Sequence, residues 1–209
     1  MRQGYAMPFL TVFMRHLYSR PNMFQIAQAS LDMQSCQDFQ RIISIDGIGQ
    51  GWEWAAKQYT ERMGEVEGDY VLMMDDDDCL VWADAVAMLK VAAQHIDSPE
   101  VIIYRWAHAD LGILPRNDVW LNKPVCGSIG PQDFCIRSDV WKRHIHHYTS
   151  GYTDDFKFMS SLFDQGYRIA WLNVVLGACM RRSIGTGEAF ESTIHRTYVN
   201  AFITSYATN

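Results

Sequence analysis

The sequence has 209 residues, of which 48% are hydrophobic and 20% are charged. This length and composition are typical of one globular domain, and they exclude a disordered chain, a collagen and a coiled-coil rod. The 24 acidic residues outnumber the 18 basic ones, which gives a formal net charge of −6. That balance does not indicate nucleic-acid binding, although it leaves a local basic patch open.

Five cysteines are spread along the chain without a C-x-x-C pair, which is typical of reduced core residues. The N-terminal stretch is too briefly apolar for a signal peptide. The longest mostly apolar stretch, residues 169–180, is shorter than the roughly 20 residues that a membrane helix needs. The sequence therefore predicts a cytoplasmic protein with no transmembrane segment.

Strand-like and helix-like segments alternate through the first half of the chain. The predicted strands are Phe9–Met14, Arg41–Ile45, Asp69–Met74 and Val101–Trp106, and the predicted helices between them are Met23–Cys36, Trp52–Met63 and Trp82–His95. This order predicts an α/β fold with a Rossmann-like, mostly parallel central sheet flanked by helices. In such sheets, ligands bind beyond the carboxyl ends of the strands.

The second half of the chain is less regular. Residues 112–130 are rich in proline, glycine and asparagine and predict a long functional loop. The elements predicted after this loop are a strand Asp133–Ile136, a helix Asp154–Gln165, a strand Tyr167–Leu172 and a helix around Ser192–Tyr206. The cluster of His144, His146 and His147 is interpreted as an exposed helix end, with metal binding as the alternative.

Four consecutive aspartates, Asp75–Asp78, directly follow the third predicted strand. Two like charges about 5 Å apart repel by roughly 3 kcal/mol at an effective dielectric constant near 20, so the run needs a compensating charge. Because side chains alternate along an extended segment, we expect Asp75 and Asp77 to point the same way and to hold one Mg²⁺ or Mn²⁺ that bridges to a phosphorylated ligand. The alternative is a solvated acidic loop that caps the next helix.

Several segments share a pattern with one enzyme family. Residues 68–78 (GDYVLMMDDDD) follow the pattern G-D-Y-x-x-x-x-D-x-D-D, residues 17–21 (LYSRP) are similar to T-Y-N-R-P, and residues 43–47 (ISIDG) are similar to V-V-D-D-G. Residues 153–156 (TDDF) and 163–169 (FDQGYRI) are similar to an E-D helix and the G-Y-x-I strand after it. In this order and spacing, over residues 8–175, the chain resembles the family 2 glycosyltransferases, which have the GT-A fold.

The resemblance implies a single glycosyltransferase domain over residues 1–209, with a nucleotide-sugar-binding half (1–106) and an acceptor-binding and catalytic-base half (107–209). It implies that Asp77 and Asp75 bind the metal ion, and that Asp155 is the catalytic base with Asp154 in the position of the family's glutamate. The candidate donor-binding residues are Asp46, Asp75, Asp76, Tyr18, Arg20 and Arg181. Arg181 either clamps a diphosphate or is a solvated basic residue.

The activity implied is a metal-dependent, inverting transfer of one sugar from a nucleotide-sugar to an acceptor hydroxyl. His16-Leu17 and Ile45 depart from the motifs near the nucleotide base, so these residues do not specify the donor nucleotide. UDP is the expected donor nucleotide only because it is the most frequent one in the family. The Q-x-x-R-W signature of processive synthases is absent, which favours single-sugar transfer. The acceptor stays open, and a modified nucleobase is among the possibilities. In this setting Trp120 is either a core residue or a platform on which a sugar stacks.

Two other functions remain open at this point. A sugar-phosphate nucleotidyltransferase also uses a Rossmann-like sheet and Mg²⁺, but it would show a glycine-rich loop where this chain has residues 16–21 (HLYSRP). A catalytically inactive GT-A domain that binds a nucleotide or a glycan is the other alternative. The presence of both carboxylate sites counts against it.

Overall fold

The computed structural model describes residues 7–95, 97–108, 111–148 and 153–180. Within these ranges eight strands form one sheet, and five α-helices cover its faces. The strands are β1 (Leu10–Leu17), β2 (Phe39–Asp46), β3 (Tyr70–Asp75), β4 (Asp78–Leu80), β5 (Val101–His108), β6 (Gly112–Leu114), β7 (Phe134–Arg137) and β8 (Ile169–Cys179). The helices are α1 (Pro21–Asp32), α2 (Gly51–Glu61), α3 (Ala85–His95), α4 (Ser138–His144) and α5 (Asp154–Asp164).

The predicted strands and helices up to residue 172 are confirmed, with bounds that shift by a few residues. The strand predicted to end at Leu172 continues as β8 to Cys179, and the sequence reading missed α4 and the three-residue strands β4 and β6. Strands this short have little hydrophobic pattern of their own, because a partner strand defines them.

The helix predicted around Ser192–Tyr206 lies outside the described residues. Among those that are described, no helix combines the length and apolar character that crossing a bilayer requires.

The sheet is mostly parallel, as predicted. The strand order is β2-β1-β3-β7-β5-β8-β4, with β6 paired to β5. Strands β1, β2, β3, β5 and β8 run in one direction, while β4, β6 and β7 run in the other. The carboxyl ends of the five co-directional strands therefore lie along one edge of the sheet, where ligands bind in open α/β sheets.

The core lies on both faces of the sheet. In β3, Leu72 and Met74 belong to the hydrophobic cluster that includes α1 and α3, while Val71 and Met73 belong to the cluster on the opposite face. Because both faces are covered, β3 is an almost continuous apolar run without polar alternation. This double burial holds the last residue of β3, and the acidic run behind it, in a fixed position.

Gly68, in the segment that leads into β3, marks a close approach of two backbones. A Cβ atom built at this position would lie 2.4 Å from the Thr11 backbone nitrogen, so no larger residue fits without a shift of the chain. The Gly68 N–H donates to the Thr11 hydroxyl at 2.9 Å. This contact fixes the start of β3 against β1 and thereby sets the register that positions Asp75 opposite Arg15.

Candidate functional site

A cavity of about 790 Å³ opens at the carboxyl edge of the sheet. Its walls come from the ends of β1, β2, β3 and β5, from residues 126–132 and from the start of α5. The predicted site residues that line it are Arg20, Asp46, Asp75, Asp76, Asp77, Asp154 and Asp155. Residues more than 100 positions apart in the chain are therefore brought to one pocket, whose size is in the range of small-molecule and cofactor sites.

Two predicted donor-binding residues do not belong to the described cavity wall. Tyr18 is 72% exposed and is absent from the residues that line the cavity. Arg181 lies outside the described residues. Tyr18 therefore has no place in the described cavity wall, and the predicted role of Arg181 stays a prediction.

The acidic run forms a tight reversal instead of the extended segment that we expected. Asp75 ends β3, Asp76 and Asp77 form a turn, and Asp78 begins β4. Strand β4 then pairs antiparallel with β8, and Asp78 lies opposite Cys179. The alternation argument for Asp75 and Asp77 was therefore wrong, although both residues line the cavity.

Asp75 is engaged by an arginine. Its two carboxylate oxygens accept hydrogen bonds from Arg15 Nε and Arg15 Nη2, each at 2.5 Å. The Arg15 guanidinium also lies 5.7 Å from the centre of the Tyr59 ring. A bidentate pair of this kind occupies both Asp75 carboxylate oxygens, so Asp75 is a less available metal ligand than the sequence predicts.

Asp76 ties the acidic turn to the end of β1. Its side chain is almost fully buried, and it accepts a hydrogen bond from the Leu17 backbone N–H at 2.7 Å. His16 Nδ1 lies 3.0 Å from the same oxygen, and Arg20 donates to the other oxygen at 3.2 Å. These contacts hold the turn and place Arg20 beside the cavity, where its guanidinium also lies 3.6 Å from Asp77.

Within the part of the chain that the structure describes, Asp77, Asp78 and Cys179 form a group that could hold a metal ion. One ligand atom from each residue lies within 4.8 Å of the others. Burial, together with the carboxylates of Asp75 and Asp76, raises the pKa of Asp77 to about 7. Burial also raises the pKa of Asp78 well above its usual range, with Asp77 and Asp75 adding to the effect.

A divalent cation fits this arrangement because its positive charge would offset the burial and the repulsion that hold both carboxyl pKa values high. Asp78 is held by two hydrogen bonds. Its Oδ1 accepts from the Trp106 indole N–H at 3.2 Å, and its Oδ2 accepts from the Asp75 backbone N–H at 3.0 Å. Both carboxylates are therefore candidates for a metal ligand, and Trp106 orients that of Asp78.

Asp46 shapes the loop between β2 and α2. Its carboxylate accepts hydrogen bonds from the backbone N–H groups of Ile48, Gly49 and Gln50 at 3.1, 2.9 and 2.6 Å. Burial acts to raise the pKa of Asp46, but these three bonds outweigh it and the pKa is lowered. Asp46 therefore stays ionised and organises the cavity wall at this end of the sheet.

Asp154 and Asp155 begin α5, as predicted. Asp154 is buried and lies 3.5 Å from Lys157 Nζ. Burial raises the pKa of Asp155 to about 6, and the carboxylates of Asp133 and Asp154 add to this effect. A carboxyl group with a pKa near 6 is deprotonated at neutral pH and is still basic enough to accept a proton.

Burial decides the role of Trp120 and corrects the interpretation of the histidine cluster as an exposed helix end, because His144 is buried. Trp120 is fully buried, and its indole N–H donates to the Ser128 hydroxyl at 2.7 Å, so it is a core residue and not a stacking platform. Of the three clustered histidines, His144 is buried and lies 2.9 Å from the Tyr167 hydroxyl, while His146 and His147 are exposed. None of the three lines the described cavity.

Sequence reasoning missed several polar residues that the fold brings to the cavity. The missed residues that line it are Arg15, His108, Gln132, Tyr148 and Cys179. The position of Arg15 at the end of the first strand was a signal, because parallel neighbours place their carboxyl ends side by side. The remaining residues carry no local motif, since their places depend on contacts between segments that are distant in the chain.

No protein-family model matches the sequence, and no curated protein matches it. Among solved structures, the chain is similar to S. aureus TarS, a glycosyltransferase, with a TM-score of 0.61 at 13% identity over 81% of this chain and 36% of TarS. Residues 1–349 of S. aureus TarS in complex with UDP-GlcNAc give a TM-score of 0.59 at 16% identity, over 92% of this chain and 64% of that one.

A third similar structure is A197 from STIV, with a TM-score of 0.50 at 15% identity over 78% of this chain and 81% of that one. The chain thus spans 36% to 64% of the TarS chains that it matches. At these identities the likeness establishes the fold. The protein has a glycosyltransferase fold, with a curled and mostly parallel sheet flanked by helices.

Proposed function

We propose that the protein is a metal-dependent, inverting glycosyltransferase that moves one sugar from a UDP-linked donor to an acceptor hydroxyl. One observation carries the proposal. A single cavity is lined both by the acidic turn at Asp77 and Asp78 and by Asp155 at the start of α5. A transferase of this kind needs a cation site for the leaving diphosphate and a base for the acceptor within one pocket.

The sheet-edge part of the cavity is the proposed donor site. Complexes of TarS with UDP and with UDP-GlcNAc support a nucleotide-sugar as the ligand class. In this chain Arg20 lies beside Asp77 and supplies a positive charge for a phosphate group. Asp46 and its loop form the adjoining wall, where the resemblance expects the nucleoside.

Asp77 would hold the Mn²⁺ or Mg²⁺ ion, with Asp78 beside it and Asp75 kept in place by Arg15. When it is bound, the cation neutralises the charge that develops on the departing diphosphate. Trp106 prevents Asp78 from rotating away, since its N–H occupies one carboxylate oxygen. Cys179 completes the group, but carboxylate oxygens are the ligands that Mg²⁺ and Mn²⁺ prefer.

Asp155 would act as the general base. Its carboxylate takes the proton from the acceptor hydroxyl while that oxygen forms a bond to the anomeric carbon and the bond from this carbon to the phosphate oxygen breaks. Attack from the face opposite the leaving group inverts the anomeric centre in one displacement. Asp154 is buried with its charge directed toward Lys157, so it supports the start of α5.

The test compares two variants that should fail at different steps. Asp77→Ala should lose the Mn²⁺-dependent part of UDP binding in isothermal titration calorimetry. Asp155→Asn should bind UDP and Mn²⁺ normally but lose about 10²- to 10⁴-fold in sugar transfer or donor hydrolysis. Asp164→Asn is the matched control, because Asp164 is an exposed residue on the same helix as Asp155.

Specific outcomes would overturn the assignments. Normal metal-dependent binding in Asp77→Ala would reject the cation site, and normal transfer in Asp155→Asn would place the base elsewhere. A wild-type protein that binds UDP with Mn²⁺ but consumes no donor would instead be an inactive nucleotide-binding domain. Formation of a sugar nucleotide from a sugar phosphate and a nucleoside triphosphate would identify a nucleotidyltransferase.

A further inference from the structure

A buried histidine–aspartate pair lies at the wall of the cavity. His108 ends β5, is 7% exposed and lines the cavity. Its Nε2 lies 3.1 Å from Oδ1 of Asp133, which is fully buried, and Oδ2 of Asp133 accepts from the Gly130 backbone N–H at 2.7 Å. Because an ionised carboxylate only accepts hydrogen bonds, this contact assigns the ring proton to Nε2 and leaves Nδ1 as an acceptor.

The pair lies at the same cavity as the proposed cation site and the proposed base. Two positions before His108 on the same strand, the Trp106 indole holds Asp78, and two residues of a strand span about 7 Å. The Asp133 carboxylate in turn contributes to the raised pKa of Asp155, which also lines the cavity. A sugar whose diphosphate lies at the acidic turn and whose anomeric carbon faces the base can therefore contact His108.

A neighbouring side-chain amide makes this part of the cavity wall suited to binding a hydroxyl group. Gln132 Nε2 lies 3.5 Å from His108 Nδ1, which is at the long limit of a hydrogen bond, and both residues line the cavity. A hydroxyl group both donates and accepts. One sugar hydroxyl can therefore donate to His108 Nδ1 and accept from the Gln132 amide, which replaces one long contact by two of ordinary length.

Close packing against Gly130 restricts the orientation of the Gln132 side-chain amide. A Cβ atom at Gly130 would lie 3.1 Å from the Gln132 amide nitrogen and oxygen, so the glycine leaves just enough room for the side chain to pack against the loop. Gln132 itself is 8% exposed. The amide is thus held in place before any ligand arrives, as a selective site requires.

We propose that His108 and Gln132 together bind one ring hydroxyl of the transferred sugar and so determine which sugar nucleotide the protein accepts. The inference rests on the proposed function, since it presupposes a sugar nucleotide in this cavity. His108 and Gln132 contact the sugar. Asp133 is a positioning residue that fixes the orientation and the tautomer of the His108 ring.

The experiment measures binding of UDP, UDP-glucose, UDP-galactose and UDP-GlcNAc by isothermal titration calorimetry in the presence of Mn²⁺. The wild-type protein should prefer one sugar over its epimer. In His108→Ala the ratio of the two dissociation constants should fall by about fivefold, the usual value of one hydrogen bond, while the affinity for UDP alone stays within about twofold. His146→Ala should keep the wild-type ratio, because His146 is exposed and does not line the described cavity.

Asp133 is tested by two variants. Asp133→Asn keeps an oxygen that can accept the Nε2 proton, so it should retain most of the sugar preference. Asp133→Ala should lose the preference as His108→Ala does. A purely structural role would predict a loss of UDP affinity together with the loss of sugar preference, and that pattern would overturn the assignment.

The outcomes separate this inference from the proposed function. A wild-type protein that binds UDP but shows equal affinity for all sugars, or a His108→Ala variant with an unchanged ratio, overturns the inference and leaves the transferase proposal standing. A wild-type protein that binds no nucleotide overturns both. If His108→Ala does not fold, as judged by thermal melting, Gln132→Ala gives the same measurement, and an unchanged ratio there rejects the hydroxyl site.

Discussion

Burial of Asp77, together with repulsion from its neighbours, should make the stability of the cation-free protein fall as the pH rises. Burial and the adjacent Asp75 and Asp76 carboxylates raise the pKa of Asp77 to about 7, from an ordinary value of 3.8. A group whose pKa is higher in the folded state contributes stability at low pH, and this contribution is lost as the pH rises through the folded-state pKa.

The magnitude follows from the same two values. Between pH 5 and pH 8 the unfolded chain has already released the Asp77 proton, while the folded protein releases it near pH 7. At about 1.4 kcal/mol per pH unit, this costs the folded state about 3 kcal/mol over the range. For a chain of this size, the corresponding decrease in melting temperature is roughly 6–12 °C.

The assay compares the wild-type protein with Asp77→Asn by thermal melting from pH 5 to pH 8, in a chelator and in Mn²⁺. The difference between the two proteins isolates Asp77 from the histidines that titrate in the same range. In chelator, Asp77→Asn should become progressively more stable than the wild-type protein as the pH rises. In Mn²⁺ the wild-type protein should recover its stability at pH 8, and the variant should not respond.

Two results would refute this reasoning. One is a difference between the wild-type protein and Asp77→Asn that does not change with pH. The other is a wild-type protein that Mn²⁺ fails to stabilise at pH 8, because the carboxylates at the acidic turn would then have another source of compensation. Asp139→Asn is a suitable control, since Asp139 is half-exposed and paired with Arg137, so its contribution should not respond to Mn²⁺.

Three further predictions concern other parts of the molecule. Gly177→Ala would place a Cβ atom 2.1 Å from the Trp106 ring, so urea denaturation should show a loss of about 1–3 kcal/mol, and an unchanged midpoint would contradict the packing. Hydrogen bonds from Arg168 lower the pKa of Glu100 to about 2, so Glu100→Gln should cost about 1–3 kcal/mol at pH 7 and progressively less as the pH falls below 4.5 toward 2. Sugar transfer should fall about tenfold per pH unit below pH 6 as Asp155 becomes protonated, and a rate that is flat down to pH 4 would exclude this carboxylate as the base.

Much of the scaffold was predictable because its signals are local. The apolar run Tyr70–Met74 is buried on both faces, and such a run indicates a central strand without knowledge of its partners. The same holds for the helical pattern of residues 154–164 and for the position of the acidic run at a strand end. Of the candidate site residues, those at strand and helix ends reached the cavity, because parallel strands bring their carboxyl ends to one edge.

Other features of the site depend on contacts between distant segments, and no local pattern encodes them. Arg15 meets Asp75 through the register of β1 and β3, and the acidic run turns because β4 finds its partner in β8. His108 meets Asp133 only after the loop that follows β6 returns to the sheet. Composition and hydrophobic pattern therefore determined which segments form the sheet and where its ligand edge lies, whereas strand pairing decided which charges are neutralised there and which remain to bind a ligand.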